Sequence, residues 1–275
     1  MKVATKLAVI TFDDKGFLSR RLRKWTTSTR RDYQKWFKFI KRLNRAVMKV
    51  LAAVKPDRKK NQQLCATLLY CRALQMFQGS ILMAERGMLA EALTLVRSCA
   101  ETAIALGCIA ADEKFVNKLF EGDANHRLTH ANVILADKYL SEPLDAEQIG
   151  HLKEKVSEVK TQYAESPDSR PKNVNWATAA RDAEMTVLYD MVYRSASGHA
   201  SHVSLNALDR HVVPDAKGAI GQLAFQPETR DLVQSLSGAT SAILHATKAL
   251  GRVFPQKGIE QTMKPYVALW AKLVG

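Results

Sequence analysis

An arginine and a glutamate four residues apart, Arg97 and Glu101, interrupt the otherwise apolar stretch Leu95-Val96-Arg97-Ser98-Cys99-Ala100-Glu101-Thr102-Ala103-Ile104. In a helix this spacing puts both on one face, beside Leu93, Ile104 and Cys108. Burying an ion costs several kcal/mol unless it is paired and hydrogen-bonded. The pair therefore needs polar partners from another element or a polar recess. Two outcomes follow: a functional site, or an ion pair that only fixes helix register.

A second cluster carries the complementary chemistry: Tyr189-Asp190-Met191-Val192-Tyr193-Arg194-Ser195-Ala196-Ser197-Gly198-His199-Ala200-Ser201-His202-Val203-Ser204. A continuous helix turns Ser195, His199 and His202 to one face with Leu188 and Met191, and turns Asp190 and Arg194 to a more polar side. Imidazole titrates near neutrality, so an inward histidine among hydroxyls can move protons, and a guanidinium can hold phosphate. Ala196, Gly198 and Ala200 leave room for a ligand or a close helix, and Gly198 can bend the segment. A buried histidine bonded to serine is equally a common core feature.

Helices must position these groups. Residues 30–54 carry Trp36, Phe37, Ile40, Leu43, Val47 and Val50 at helical spacing, and Lys55-Pro56-Asp57 ends that helix. Residues 62–85 and 88–111 read as an antiparallel hairpin turning at Arg86-Gly87. Further helices are predicted over about 112–140, 145–164 and 176–206, and from Pro227 to about 252, with irregular chain around Pro214, Gly218 and Gly221. Residues 2–12 alternate loosely, as a short strand or as irregular chain. No strand series and no internal repeat is evident. The expectation is an all-α fold, a bundle of about six to eight helices with a basic N-terminal helix, divided into residues 1–57 and a bundle domain over 58–275.

The net charge of +14 is concentrated at one end. Residues 1–60 hold 19 Lys and Arg against four Asp, a net of +15, and the other 215 hold 22 basic against 23 acidic residues, a net of −1. Arg30, Arg31, Lys35, Lys38, Lys41, Arg42 and Arg45 make this helix a candidate surface for RNA or another polyanion, with attraction that falls steeply with salt. A solvated basic face that only aids solubility is the plain alternative.

Several classes of function are excluded. Hydrophobic types at 47% with only 13 Gly and 8 Pro rule out collagen-like and wholly disordered chains. The first apolar run, Leu7 to Ile10, is too short for a signal peptide, and the longest run free of charged residues, 232–247, is too short and polar to span a bilayer. The expectation is a cytoplasmic protein with no transmembrane segment. Cys65, Cys71, Cys99 and Cys108 form no C-x-x-C pair and read as reduced core thiols. Asp123, His126 and His130 have metal-ligand spacing, but no second carboxylate–histidine helix accompanies them, so they read as an exposed polar face. No P-loop, dinucleotide fingerprint, G-x-S-x-G elbow or Cys–His protease signature is present. No metal or cofactor is expected.

Arg97-x3-Glu101 followed by the Tyr-Arg-Ser-x-Ser-x-His-x-Ser-His stretch from Tyr193 to His202 resembles a widespread bacterial family of helical proteins of unassigned function with R-x3-E and Y-x3-S-x3-H-like motifs, over roughly residues 60–250. Tyr193 and Ser197 fit Y-x3-S, Ser195 and His199 fit S-x3-H, and one residue cannot supply both serines. A looser resemblance is to HEPN-type helical nucleases, whose R-x4-6-H signature is matched by Arg194 to His199. That resemblance implies a homodimer that brings Arg and His together to cleave RNA without a metal, leaving a cyclic phosphate, in a toxin or phage-defence setting. Arg194 would then steady phosphate and His199 would move protons, although an unbroken helix sets the two on different faces. The expected site comprises Arg97, Glu101, Arg194, Ser197, His199 and His202. The alternative is a non-enzymatic helical module that contacts nucleic acid or a protein partner through its basic helix.

Overall fold

The structure is a computed structural model, which describes residues 7–165, 171–198, 204–255 and 258–275. It is predominantly α-helical, with twelve α-helices and one three-stranded sheet among the described residues. The helix count exceeds the six to eight expected, because several predicted helices are divided and two were not foreseen.

Three long helices make the centre: α3 (Asn61–Ala84), α4 (Leu89–Ala111) and α11 (Leu232–Val253). Their contacting sides are rich in small residues, Ala73, Ala92, Ala100, Ala103, Ala239, Ala242 and Ala246 being buried, so the backbones pack closely. α3 and α4 form the expected hairpin. Gly87 takes a left-handed φ of 73° at its turn, where a Cβ would stand 2.7 Å from the Glu228 backbone nitrogen.

The basic helix is α2 (Gln34–Ala53), preceded by α1 (Leu22–Asp32). Trp36, Phe39, Ile40, Leu43, Val47 and Val50 of α2 are buried in the same core as α3, α4 and α11. The Tyr70 hydroxyl on α3 ties this layer together, reaching Thr247 Oγ1 on α11 at 3.0 Å and the Val47 carbonyl on α2 at 3.2 Å. Residues 54–60 connect α2 to α3. α12 (Ile259–Val274) packs on α11 and α2. It was not foreseen, since it contains Pro265, a residue that argues against a helix interior.

On the other side of α4 lie α5 (Phe115–Ala136), α6 (Lys138–Ser141) and α7 (Ala146–Gln162). Asp137 caps α6 through the Tyr139 and Leu140 amides and so divides the helix predicted over 112–140. Asp145 starts α7 as expected, in a reciprocal capping box with Gln148.

The single helix predicted over 176–206 is instead α8 (Trp176–Asp182), then α9 (Thr186–Leu188) continuing as a π-helical turn over Tyr189–Arg194, and α10 (Leu205–Asp209). α8 ends where the Met185 amide bonds the Ala180 carbonyl at 2.7 Å and Glu184 takes a left-handed φ of 58°. This is a C-terminal capping turn built without the glycine that usually announces one.

The stretch read as irregular forms a hairpin, β2 (Val212–Pro214) and β3 (Ile220–Phe225). Its turn is held by the Asp215 carboxylate, which accepts from the Lys217 and Ala219 amides. β1 (Val9–Thr11) pairs parallel to β3, giving the order β1-β3-β2. Among the described residues α4 is the one helix long and apolar enough to cross a membrane. Thirteen of its residues are buried, Val96 and Ile104 among them in the bundle core.

Candidate functional site

Arg97 and Glu101 lie in the middle of α4, one turn apart, with Arg97 Nη1 3.4 Å from Glu101 Oε2. The π-helical turn packs against this part of α4. The approach is close because Gly238 of α11 sits under both: a Cβ there would stand 3.1 Å from Val96 and 3.5 Å from Val192.

Both motifs meet across that contact. Arg97 Nε donates to Ser197 Oγ at 2.9 Å and Arg97 Nη2 donates to the Tyr193 hydroxyl at 2.7 Å, while the guanidinium carbon stands 4.5 Å from the Tyr193 ring centroid. Ser197 Oγ donates in turn to the Tyr193 carbonyl at 2.7 Å. Tyr189 stacks on Tyr193 at 5.0 Å, bracing the ring that Arg97 meets. The pair stays open to solvent, the Arg97 and Glu101 side chains being 26% and 30% exposed.

The bonds constrain the chemistry. The Ser197 proton is held by a backbone carbonyl while its oxygen accepts from a cation, so this serine is oriented as a hydrogen-bonding strut, and no base bonds to it among the described residues. Burial pushes the Glu101 carboxyl above its ordinary value, against the opposing pull of Arg97 and of the Tyr193 hydroxyl. Burial likewise raises Tyr193, with Arg97 opposing. The described part of the site thus sets a partly buried carboxyl, Glu101, beside the Arg97 cation.

The expected facing of the second cluster needs correction. Met191 is 71% exposed rather than turned inward with Leu188. The inward residues are Leu188 and Ala196, with Val192 and Tyr193 partly buried against the core. A π-helical turn takes more than four residues, so the buried face advances relative to the 100° step assumed for a regular helix. The same shift brings Tyr193 and Ser197, an i,i+4 pair, onto Arg97. Ser195 instead meets Gln234 Nε2 of α11 at 3.4 Å.

Arg194 is not part of this network. Its guanidinium pairs with Asp190 at 3.3 Å and is 68% exposed. His199 and His202 lie outside the described residues. Tyr193, absent from the expected site set, is its central hydroxyl; the available signal was its i,i+4 relation to Ser197.

Along α2, Lys35, Lys38, Lys41, Arg42 and Arg45 are exposed, and none makes an ion pair among the described residues. Arg31 pairs with the neighbouring Asp32. Arg30 is committed elsewhere: its Nη2 lies 2.7 Å from Oε2 of Glu85, a carboxylate only 5% exposed, which Arg86 also approaches at 3.5 Å. His126 and His130 stack on each other, and Asp123 is taken by Arg127 at 2.8 Å. No cluster of three potential metal ligands occurs among the described residues.

Fold and site define a helical-bundle protein whose central hairpin presents an Arg–Glu pair to a Tyr–Ser pair on a π-helical turn. The chain belongs to the family of unknown function DUF5677, whose model matches residues 63–219, from α3 to the β2–β3 hairpin, and so contains all four of these residues. Comparison with curated proteins and with solved structures gave no match.

Proposed function

We propose that this chain is a HEPN-like, metal-independent ribonuclease of a toxin or phage-defence setting, acting in the cytoplasm on RNA delivered along the exposed basic face of α2. The observation that carries the reading is the meeting of Arg97 and Glu101 with Tyr193 and Ser197 in one solvent-open network. Cleavage of this kind has the ribose 2′-oxygen attack phosphorus, forming a cyclic phosphate as the P–O bond to the 5′-oxygen breaks. One group takes the 2′-hydroxyl proton and another protonates the leaving 5′-oxygen. Glu101, with its raised carboxyl, suits one of these transfers. Arg97 supplies charge to the phosphate, oriented by Tyr193 and Ser197. Arg194, His199 and His202 enter through the resemblance: Arg194 as an exposed second contact to phosphate, His199 and His202 as the further proton carriers. A homodimer is the arrangement that resemblance implies.

A second reading is a binding module without catalysis. The observation favouring it is that Arg97 already has a partner on Nε and on both terminal nitrogens within the chain, and that Arg194 is paired with Asp190. One experiment separates the two: incubate the full chain with total RNA in EDTA, beside Glu101→Gln, Arg194→Ala and His199→Ala, with a melting curve for each. Folded variants that lose cleavage support the nuclease. Absence of cleavage by the parent chain, or equal cleavage by all three variants, rejects it in favour of the module.

A further inference from the structure

Away from the Arg97 network, two clefts border the Arg30–Glu85 ion pair and share no residue with that network. The first, about 640 Å³, runs between α2 and α3; Phe37, Ile81 and Leu82 give it an apolar floor, and Lys38 and Lys41 stand at its edge with the amide side chains of Gln34, Asn44 and Gln78. The second, about 670 Å³, is polar and lies between the start of α1 and Arg86, lined by Arg20, Arg23 and the hydroxyls of Ser19, Thr26 and Thr27. Arg30 and Glu85 line both.

The charge balance of this pair of clefts is one-sided. Glu85 is the single acid lining either among the described residues, and it is buried and already met by Arg30 and Arg86. Arg20, Arg23, Lys38 and Lys41 are exposed and form no ion pair among the described residues. Guanidinium groups are the side chains that best hold phosphate oxygens; the Thr26 and Thr27 hydroxyls already donate to the Leu22 and Arg23 carbonyls, so the arginines carry the recognition. A ring at an apolar floor suits a planar heteroaromatic group; at its edge the Gln34 amide can both donate and accept, while the Gln78 amide donates to Asn44 Oδ1 at 3.0 Å. Each cleft is within the usual size range of small-molecule sites, about 300–1,000 Å³.

We propose that the two clefts together bind a nucleoside phosphate, with the phosphates among Arg20, Arg23 and Arg86 and the base against Phe37. Arg30, lining both clefts, is held on Glu85 and marks the junction between the two ends of the ligand. The nucleoside phosphate is either a free nucleotide or one unit of a single-stranded RNA.

The test is calorimetric titration of the full chain with ATP, with inorganic tripolyphosphate, and with a single-stranded 2′-O-methyl oligoadenylate, which has no free 2′-hydroxyl for the proposed cleavage to use. The expected result is saturable binding of ATP or of the oligoadenylate, the preferred probe identifying the source, and weaker binding of tripolyphosphate. The double variant Arg20→Ala/Arg23→Ala loses about tenfold or more in affinity, as removal of charge-assisted bonds requires, whereas Lys155→Ala, which removes an exposed charge on α7, binds like the parent. Phe37→Leu weakens nucleoside-phosphate binding and leaves tripolyphosphate unchanged; Lys41→Ala, fully on the surface, serves as a second variant of the same cleft and also weakens it. The proposal is overturned by absence of saturable binding of both nucleoside probes, by tripolyphosphate binding as tightly as they do, or by parent-like affinity in the double arginine variant. Because these residues are separate from the Arg97 network, the result stands whether or not RNA is cleaved.

Discussion

Arg97 Nε and Ser197 Oγ are 2.9 Å apart although a hundred residues separate them in the chain. The bond joins the core helix α4 to the π-helical turn, and with Tyr193 and Glu101 it converts two ordinary i,i+4 pairs into one network. A guanidinium makes these contacts through a planar fork that an ammonium cannot reproduce. Arg97→Lys is therefore expected to lower stability by about 1–2 kcal/mol, leaving partly buried hydroxyls unpaired. Ser197→Ala is expected to cost less, about 0.5–1.5 kcal/mol, since Tyr193 still holds Arg97. Chemical denaturation of both variants measures the order; an Arg97→Lys protein as stable as the parent contradicts the network.

Glu101 gives the network a pH signature. Its folded carboxyl is raised above the ordinary value of 4.5, so the folded state holds a proton that the unfolded state has released in the window above that value. Its contribution to stability is complete below pH 4.5 and is lost as pH rises through the raised folded value. Glu101→Gln keeps the neutral form at every pH. That variant is expected to flatten this part of the stability–pH curve and to be at least as stable as the parent at pH 7, as melting curves across the range will show. A Tm at pH 7 clearly below the parent's contradicts burial as the dominant influence on this carboxyl.

The Arg30–Glu85 pair is asymmetric in burial, and its variants should be asymmetric in cost. The carboxylate is 5% exposed and the Arg30 guanidinium 57%. Arg30→Ala leaves a buried charge held only by Arg86, whereas Glu85→Gln leaves a guanidinium that water already reaches. After allowance for solvent screening, Arg30→Ala is expected to cost about 1–2 kcal/mol and Glu85→Gln less. Urea unfolding of the two proteins decides; the reverse order contradicts the assignment of Glu85 as the buried partner.

The four cysteines should sort by burial. Cys99 and Cys108 are buried, and desolvation pushes both thiols up to about 12, so almost no thiolate exists at neutral pH. Cys65 and Cys71 are partly exposed. Mass spectrometry after brief iodoacetamide treatment of the native protein is expected to find label on Cys65 and Cys71 only, with Cys99 and Cys108 labelled after denaturation. Prompt labelling of either buried thiol contradicts the packing around α4.

Much of this site is legible in the sequence because it is built from short-range pairs. Arg97 with Glu101, and Tyr193 with Ser197, are each one helical turn apart, and the apolar spacing of residues 30–54 reveals α2 with its basic outer face. What joins the pairs is not local. Their meeting depends on Gly238 of α11, which lets Val96 and Val192 come together, and on a π-helical turn whose longer period no hydrophobic repeat announces. The same limit explains the fold's other surprises. β1 finds β3 across more than two hundred residues, and α8 is capped by Glu184 where a glycine would be the usual signal. α12 holds Pro265 inside a helix stabilised by packing on α11 and α2.

The central claim is that the Arg97–Glu101–Tyr193–Ser197 network belongs to an RNA-cleaving centre, and the most direct measurement is end-group analysis of RNA incubated with the full chain in EDTA. The account predicts fragments ending in 2′,3′-cyclic phosphate, and their loss in a Glu101→Gln protein whose melting temperature is no lower than the parent's. Intact RNA with the parent chain, or undiminished cleavage by Glu101→Gln, contradicts it.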